Sequence, residues 1–217
     1  MTQLQFGIIF FLGLLIGVSG FILLYPTLKL RYVKGHLNKM FNRILFKVAT
    51  FEDHFLIPNV HVKLPGNKDV VIDHLYFGDK YIYAIKDLYF QGGLLGKPQD
   101  QEWQYYDFKH RDATYRFIPN PYLLQKQRIE KLSLVTGLDQ SLFVSIILVN
   151  NEAMVHRIPE SDKQEFILNI RHIEKFIQAY EKRDVPPFDL DKMSKAVLDI
   201  HQMNRDNQPT LKQKTHR

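Results

Sequence analysis

Residues 70–77 (VVIDHLYF), 81–88 (YIYAIKDL) and 92–96 (GGLLG) decide the fold. The first two runs are rich in β-branched and aromatic side chains, the composition of strands. Gly78-Asp79-Lys80 between them is a hairpin turn. One carboxylate, Asp73, sits inside the first run. An unpaired acid in an apolar strand costs free energy, so something must face it. Period-two alternation places Val71, Asp73 and Leu75 on one face. On the next strand it groups Ile82, Ala84, Lys86 and Leu88.

Working outward, residues 28–46 repeat apolar side chains every three or four positions, which predicts a helix. Residues 55–64 predict a strand interrupted at Pro58-Asn59. Residues 102–108 and 115–118 predict two more. Asn120-Pro121 opens a helix, with Asn as cap and Pro at the first position. It runs to Thr136 and stops at Gly137. Its Leu123, Leu124, Ile129, Leu132 and Val135 read as core. Residues 142–149 (LFVSIILV) predict a strand buried on both faces, and residues 165–168 another strand. A helix over 173–182 follows. Another, capped by Asp189 or Asp191, reaches Met203. The pattern is an α/β domain, a mixed sheet flanked by helices. The glycine run 92–96 reads as a loop. It precedes no clear helix, which argues against a phosphate cradle.

Residues 6–25 (FGIIFFLGLLIGVSGFILLY) carry no charge. As a helix they would extend ~30 Å, the thickness of a bilayer's hydrocarbon core. No Lys or Arg precedes them, whereas Lys29, Arg31, Lys34, Lys39 and Arg43 follow. The positive-inside rule then predicts a single-pass anchor in the cell membrane, with the N-terminus outside and the domain cytoplasmic. A cleaved signal peptide would want a basic start and a shorter apolar run. Gly13 and Gly17, with Gly20 beyond, have a spacing that suits a homodimer through the anchor helix or ordinary glycine usage in membrane helices. The expected division is anchor 1–27, juxtamembrane helix 28–50, domain 51–204 and disordered basic tail 205–217. Cysteine is absent, which excludes disulfides and thiolate chemistry. The net charge of +6 is concentrated beside the span and in the tail. That fits an anionic membrane surface at least as well as nucleic acid.

Several motifs occur in order: Ile72-Asp73-His74, then residues 81–85 (YIYAI), Gly92 and Gly96, Trp103, and Asn120-Pro121. Over residues 37–149 this order resembles the nuclease-related domain (NERD) family. The resemblance implies a restriction-endonuclease-like fold, in which an acid on one strand faces Glu-x-Lys on the next. In such a site two carboxylates hold Mg²⁺ with phosphate oxygens, and the lysine serves the attacking water. Here Asp73 is the retained acid, but Lys86 stands in the place of the Glu and Leu88 in the place of the Lys. The family's acid in its first helix has no counterpart near Leu37-Asn38. Its glutamine four residues after Asn120 falls on Leu124, with Gln125 one place on.

What the resemblance implies is therefore a degenerate site, catalytically inactive and without a cofactor. Lys86 would replace the metal electrostatically by pairing with Asp73. The expected function is binding, of nucleic acid or of a protein partner, at the cytoplasmic membrane face. One alternative is an active Mg²⁺-dependent nuclease with a rearranged site drawing on Asp87, Asp100 or Glu102. Another is a purely structural membrane component. Asp87 points away from Lys86 by period two, and His74 reads as a polar member of its strand rather than a general base. Trp103, Tyr105, Tyr106, Phe108, Tyr115 and Phe117 lie near Lys109, His110, Arg111 and Arg116. This group is either a stacking surface for nucleic acid or a hairpin with half its aromatics in the core.

Overall fold

The computed structural model describes residues 3–63, 69–107, 115–155 and 164–207. Two compact units make up the chain, Met1–Met40 and Phe41–Arg217. Helix α1 (Gln3–Phe51) is continuous through Pro26 and covers both the expected anchor 1–27 and the expected juxtamembrane helix 28–50. An interior proline removes one N–H donor, at a cost of about 3 kcal/mol, and leaves the turns on either side able to form. In the first unit Leu14, Leu15 and Ile16 are exposed, as are Phe21, Ile22, Leu23, Leu24 and Tyr25. Consecutive residues point in different directions around a helix, so this apolar surface is not a single stripe. Side chains 6–10 and 12 of the expected span lie outside the described residues. Among the described residues no helix is long and apolar enough to cross a membrane.

The second unit is a mixed α/β fold. Its elements run β1 (Phe55–Val62), β2 (Val70–Phe77), β3 (Ile82–Leu88), β4 (Gly92–Leu95), β5 (Glu102–Asp107), β6 (Tyr115–Pro119), α2 (Pro121–Thr136), β7 (Phe143–Val149), β8 (Met154–Val155), β9 (Glu165–Asn169), α3 (Ile173–Glu181) and α4 (Leu190–Asn207). Two sheets form, not one. The larger has the order β1-β2-β3-β7-β9 and the smaller β6-β5-β4-β8. In the larger, β1, β2 and β3 are antiparallel, then β3, β7 and β9 run parallel. Every residue of β7 is buried, as expected of a central parallel strand.

The glycine run 92–96, expected to be a loop, is largely strand β4. It pairs with β5 on one side and β8 on the other, and Leu94 is fully buried. Pairing by neighbours has overridden the low strand propensity of glycine. Gly96 has a separate role. A Cβ there would lie 2.1 Å from Trp103 Cδ1, so only glycine allows the fully buried indole to close on the chain. Trp103 Nε1 donates to the Lys97 carbonyl at 2.8 Å.

Helix α2 starts and stops where its caps predict. Asn120 accepts from the Tyr122 amide at 2.9 Å, and Gly137 closes the helix at φ 69°. The Asn120 side chain also donates to the carbonyls of Pro98 (2.8 Å) and Asp100 (2.6 Å), tying the 97–100 turn to the helix start. The buried stripe of α2 is Tyr122, Gln125, Ile129 and Leu132. Leu124 and Val135, expected in the core, are exposed. Ile129 and Leu132 are core as expected, and Tyr122, which packs edge-on against Trp103 at 5.1 Å between ring centres, and Gln125 complete the buried face in place of Leu124 and Val135.

A second polar cluster holds the β2–β3 turn. Glu181 of α3 accepts from the Tyr83 hydroxyl at 2.6 Å and from the Lys80 amide at 2.9 Å. Burial pushes the Glu181 carboxyl above its ordinary range, with those two bonds opposing the shift. Helix α4 is capped by Asp189, which accepts from the Asp191 amide at 3.0 Å, and it continues to Asn207, past the expected end at Met203. The rest of the expected disordered tail, from residue 208, lies outside the described residues. So do Leu64 and the segment 108–114.

Candidate functional site

Asp73 lies where the hairpin changes the side it presents to the core. Val70 and Ile72 join one buried cluster, and so do Leu75 and Phe77, a three-residue step in place of two. Strand β1 takes the same step, from Ile57 to Val60. The register pairs Pro58 with His74 and Val60 with Ile72, which sets Asn59 opposite Asp73. Asn59 has φ 51°, the left-handed conformation that Asn tolerates. That residue turns the pleat over. The single face expected for Val71, Asp73 and Leu75 therefore does not exist: Val71 is exposed, Asp73 half-buried and Leu75 fully buried.

The β2–β3 ladder runs from Phe77↔Ile82 to His74↔Ile85. One step further, the same register sets Lys86 opposite Asp73. Lys86 Nζ lies 2.6 Å from Asp73 Oδ2, and the Asp87 amide donates to that oxygen at 2.9 Å. The side chains are 28% and 16% exposed, so the pair is largely removed from water without being sealed. The expected Asp73–Lys86 pair is thus present.

Asp87 occupies the opposite face from Lys86, as period two requires. Its carboxylate, 6% exposed, lies 2.8 Å from Nε2 of the fully buried His74. Burial pushes the Asp87 carboxyl up. The bond and charge of His74 oppose the shift, Asp73 adds to it and Lys86 reduces it. His74 Nδ1 and Asp87 Oδ1 are buried without a hydrogen-bond partner among the described residues. His74 is therefore committed to Asp87 inside the sheet.

These residues do not fit a hard divalent cation, which needs several oxygen ligands. Asp73 supplies one carboxylate, and a cation already lies on it. Asp87 turns its carboxylate to His74. Asp100 accepts from the Lys97 amide at 2.8 Å and so caps its own turn, and Glu102 is exposed at the start of β5. Among the described residues no group of three or more His, Asp or Glu side chains could hold a metal ion.

Two residues of α2 complete the site: Gln125, one place on from the position where the resemblance looked for a glutamine, and Arg128, which the sequence did not single out. Gln125 is fully buried and donates to the Ala84 carbonyl of β3 at 3.2 Å. Its other amide atom accepts from Arg128 at 3.1 Å. A glutamine does reach the central strand, but from the position after Leu124. The clue was a polar residue within the three-four stripe Tyr122, Gln125, Ile129, Leu132. Of the aromatic hairpin, Trp103 is core, Tyr105 and Tyr106 are half-buried, and Tyr115 and Phe117 are exposed. Phe108, Lys109, His110 and Arg111 lie outside the described residues.

No protein-family model, no curated protein and no solved structure matches this chain.

Proposed function

We propose that this is a membrane-anchored protein whose cytoplasmic domain derives from a NERD-like, restriction-endonuclease-like nuclease and acts by binding. The observation that carries the proposal is Lys86 Nζ, 2.6 Å from the one acid retained from the family pattern. A lysine at that distance gives Asp73 the counter-charge a metal would otherwise supply, and its charge opposes the approach of a second cation. The neighbouring acid, Asp87, is bound to His74 and does not supply a second ligand.

The anchor rests on the uncharged run 6–25 within a continuous helix, on its exposed apolar side chains, and on the cations that follow it. Binding of nucleic acid is supported by β6, an edge strand with Tyr115 and Phe117 exposed and Arg116 exposed between them. A protein partner on the same strand is the other form of the proposal.

The test uses the full chain in lipid nanodiscs with single-stranded DNA and RNA. No Mg²⁺-dependent cleavage should exceed that of an Asp73→Ala control. Binding, where present, should fall steeply with salt and weaken on Phe117→Ala. Cleavage abolished by Asp73→Ala would establish the active-nuclease alternative instead.

A further inference from the structure

A cavity of about 230 Å³ opens where the end of β3 meets β6 and the first turns of α2. Leu88 and Phe90 form one wall, Ile118 another, and Leu124 the helix side. The walls are carbon, yet two cations, Lys86 and Arg128, stand at the lining and no acid does. Lys86 is already neutralised by Asp73. Arg128 is not: among the described residues its one side-chain bond is to the neutral Gln125. Gln125 is itself buried and bonded to β3, so it fixes the guanidinium at the cavity through one nitrogen. The remaining donors keep their fork geometry, which suits an oxyanion. Pro121, Leu124 and Arg128 follow one another at three- and four-residue spacing, so one face of α2 lines the space. The positive end of the α2 dipole lies on this side as well.

We propose that this cavity binds a small apolar carboxylate, with the carboxylate on Arg128 and the hydrocarbon against Leu88, Phe90 and Ile118. Its volume holds about eight groups the size of a water or methylene, at ~30 Å³ each. An aromatic acid such as phenylacetate matches that size. The site is independent of nucleic-acid binding and of the anchor.

Phenylacetate is titrated by saturation-transfer NMR into the full chain in nanodiscs, with empty nanodiscs as blank. Benzyl alcohol, which lacks the charge, and acetate, which lacks the apolar body, are the comparison probes. Phenylacetate should bind in the millimolar range or tighter, and both comparison probes about tenfold more weakly or not at all. Arg128→Gln should weaken phenylacetate about tenfold, with Arg128→Lys, which keeps the charge and loses the fork, recovering only part of the loss. Leu124→Trp, at an exposed helical position, should fill the space and abolish binding. Unchanged far-ultraviolet circular dichroism and Tm show that each variant remains folded. Absence of phenylacetate binding at ~10 mM, or equal binding by folded Arg128→Gln, overturns the proposal.

Discussion

Replacing Lys86 by methionine should strand the Asp73 carboxylate, and the structure bounds the cost. A fully exposed ion pair contributes about 0–1 kcal/mol, whereas breaking a buried one costs about 3–5 kcal/mol. Asp73 is 16% exposed and Lys86 28%, so the pair lies between those limits. The Asp87 amide still donates to Asp73 after the substitution and offsets part of the loss. A destabilisation of about 2 kcal/mol follows, which for a chain of 217 residues lowers Tm by about 4–8 °C. Asp73→Asn should cost about half as much, because Lys86 is the more exposed partner and can turn its ammonium to water. The double variant Asp73→Asn/Lys86→Met should be more stable than Lys86→Met alone, since it removes the uncompensated charge. The assay is thermal unfolding of the full chain followed by Trp103, the sole tryptophan and fully buried. An unchanged Tm for Lys86→Met would refute the reasoning, and so would a double variant no more stable than Lys86→Met. A rise of several degrees in wild-type Tm with Mg²⁺ would show that Asp73 is a metal ligand after all.

Three further outcomes follow from the geometry. Burial holds the Asp87 carboxyl above its ordinary value of 3.8. A raised folded value contributes stability that is present below the unfolded value and lost as pH rises through the folded one. Asp87→Asn removes that contribution, so between about pH 7 and pH 4 the variant should lose more stability on acidification than wild type. Parallel denaturation curves across that range would contradict the assignment. Gly96→Ala places a Cβ 2.1 Å from the Trp103 ring. It should cost about 1–3 kcal/mol and shift Trp103 emission to the red, and an unmoved spectrum would show that the indole does not depend on Gly96. Asn120→Ala should cost about 2–3 kcal/mol by losing both the cap and the bonds to the 97–100 turn. Asn120→Asp keeps the acceptor and loses the donors, so denaturant titration should place it between wild type and Asn120→Ala.

Much of the fold was legible because it rests on local chemistry. The β2 strand, the Asn120 cap, the Gly137 stop and the all-buried β7 follow from residues close together in the chain. Strand β4 was not legible: its two glycines have little strand preference, and its identity comes from β5 and β8. The exposure of Leu124 at the start of α2 was missed for a related reason. Leu123, Leu124 and Tyr122 are all apolar enough to face inward, and the position of Trp103 decides among them. The pairing of Asp73 with Lys86 could be anticipated from hairpin register. For Gln125 the resemblance pointed one place away, and the approach of Arg128 could not be anticipated, because both depend on how α2 crosses β3.

By itself the sequence determined that an acid lay in an apolar strand and that the residue facing it across the turn was a lysine. Those are consequences of period two and of a short hairpin, both set by neighbours along the chain. Tertiary structure decided the rest. Asn59, on a different strand, turns the pleat over at Asp73 and so sets which side chains reach the core. His74 takes the carboxylate of Asp87, and α2 brings an arginine to the cavity beside Lys86. Burial and charge pairing act through space, so the chemistry around Asp73 is a property of strands and helices brought together from distant parts of the chain.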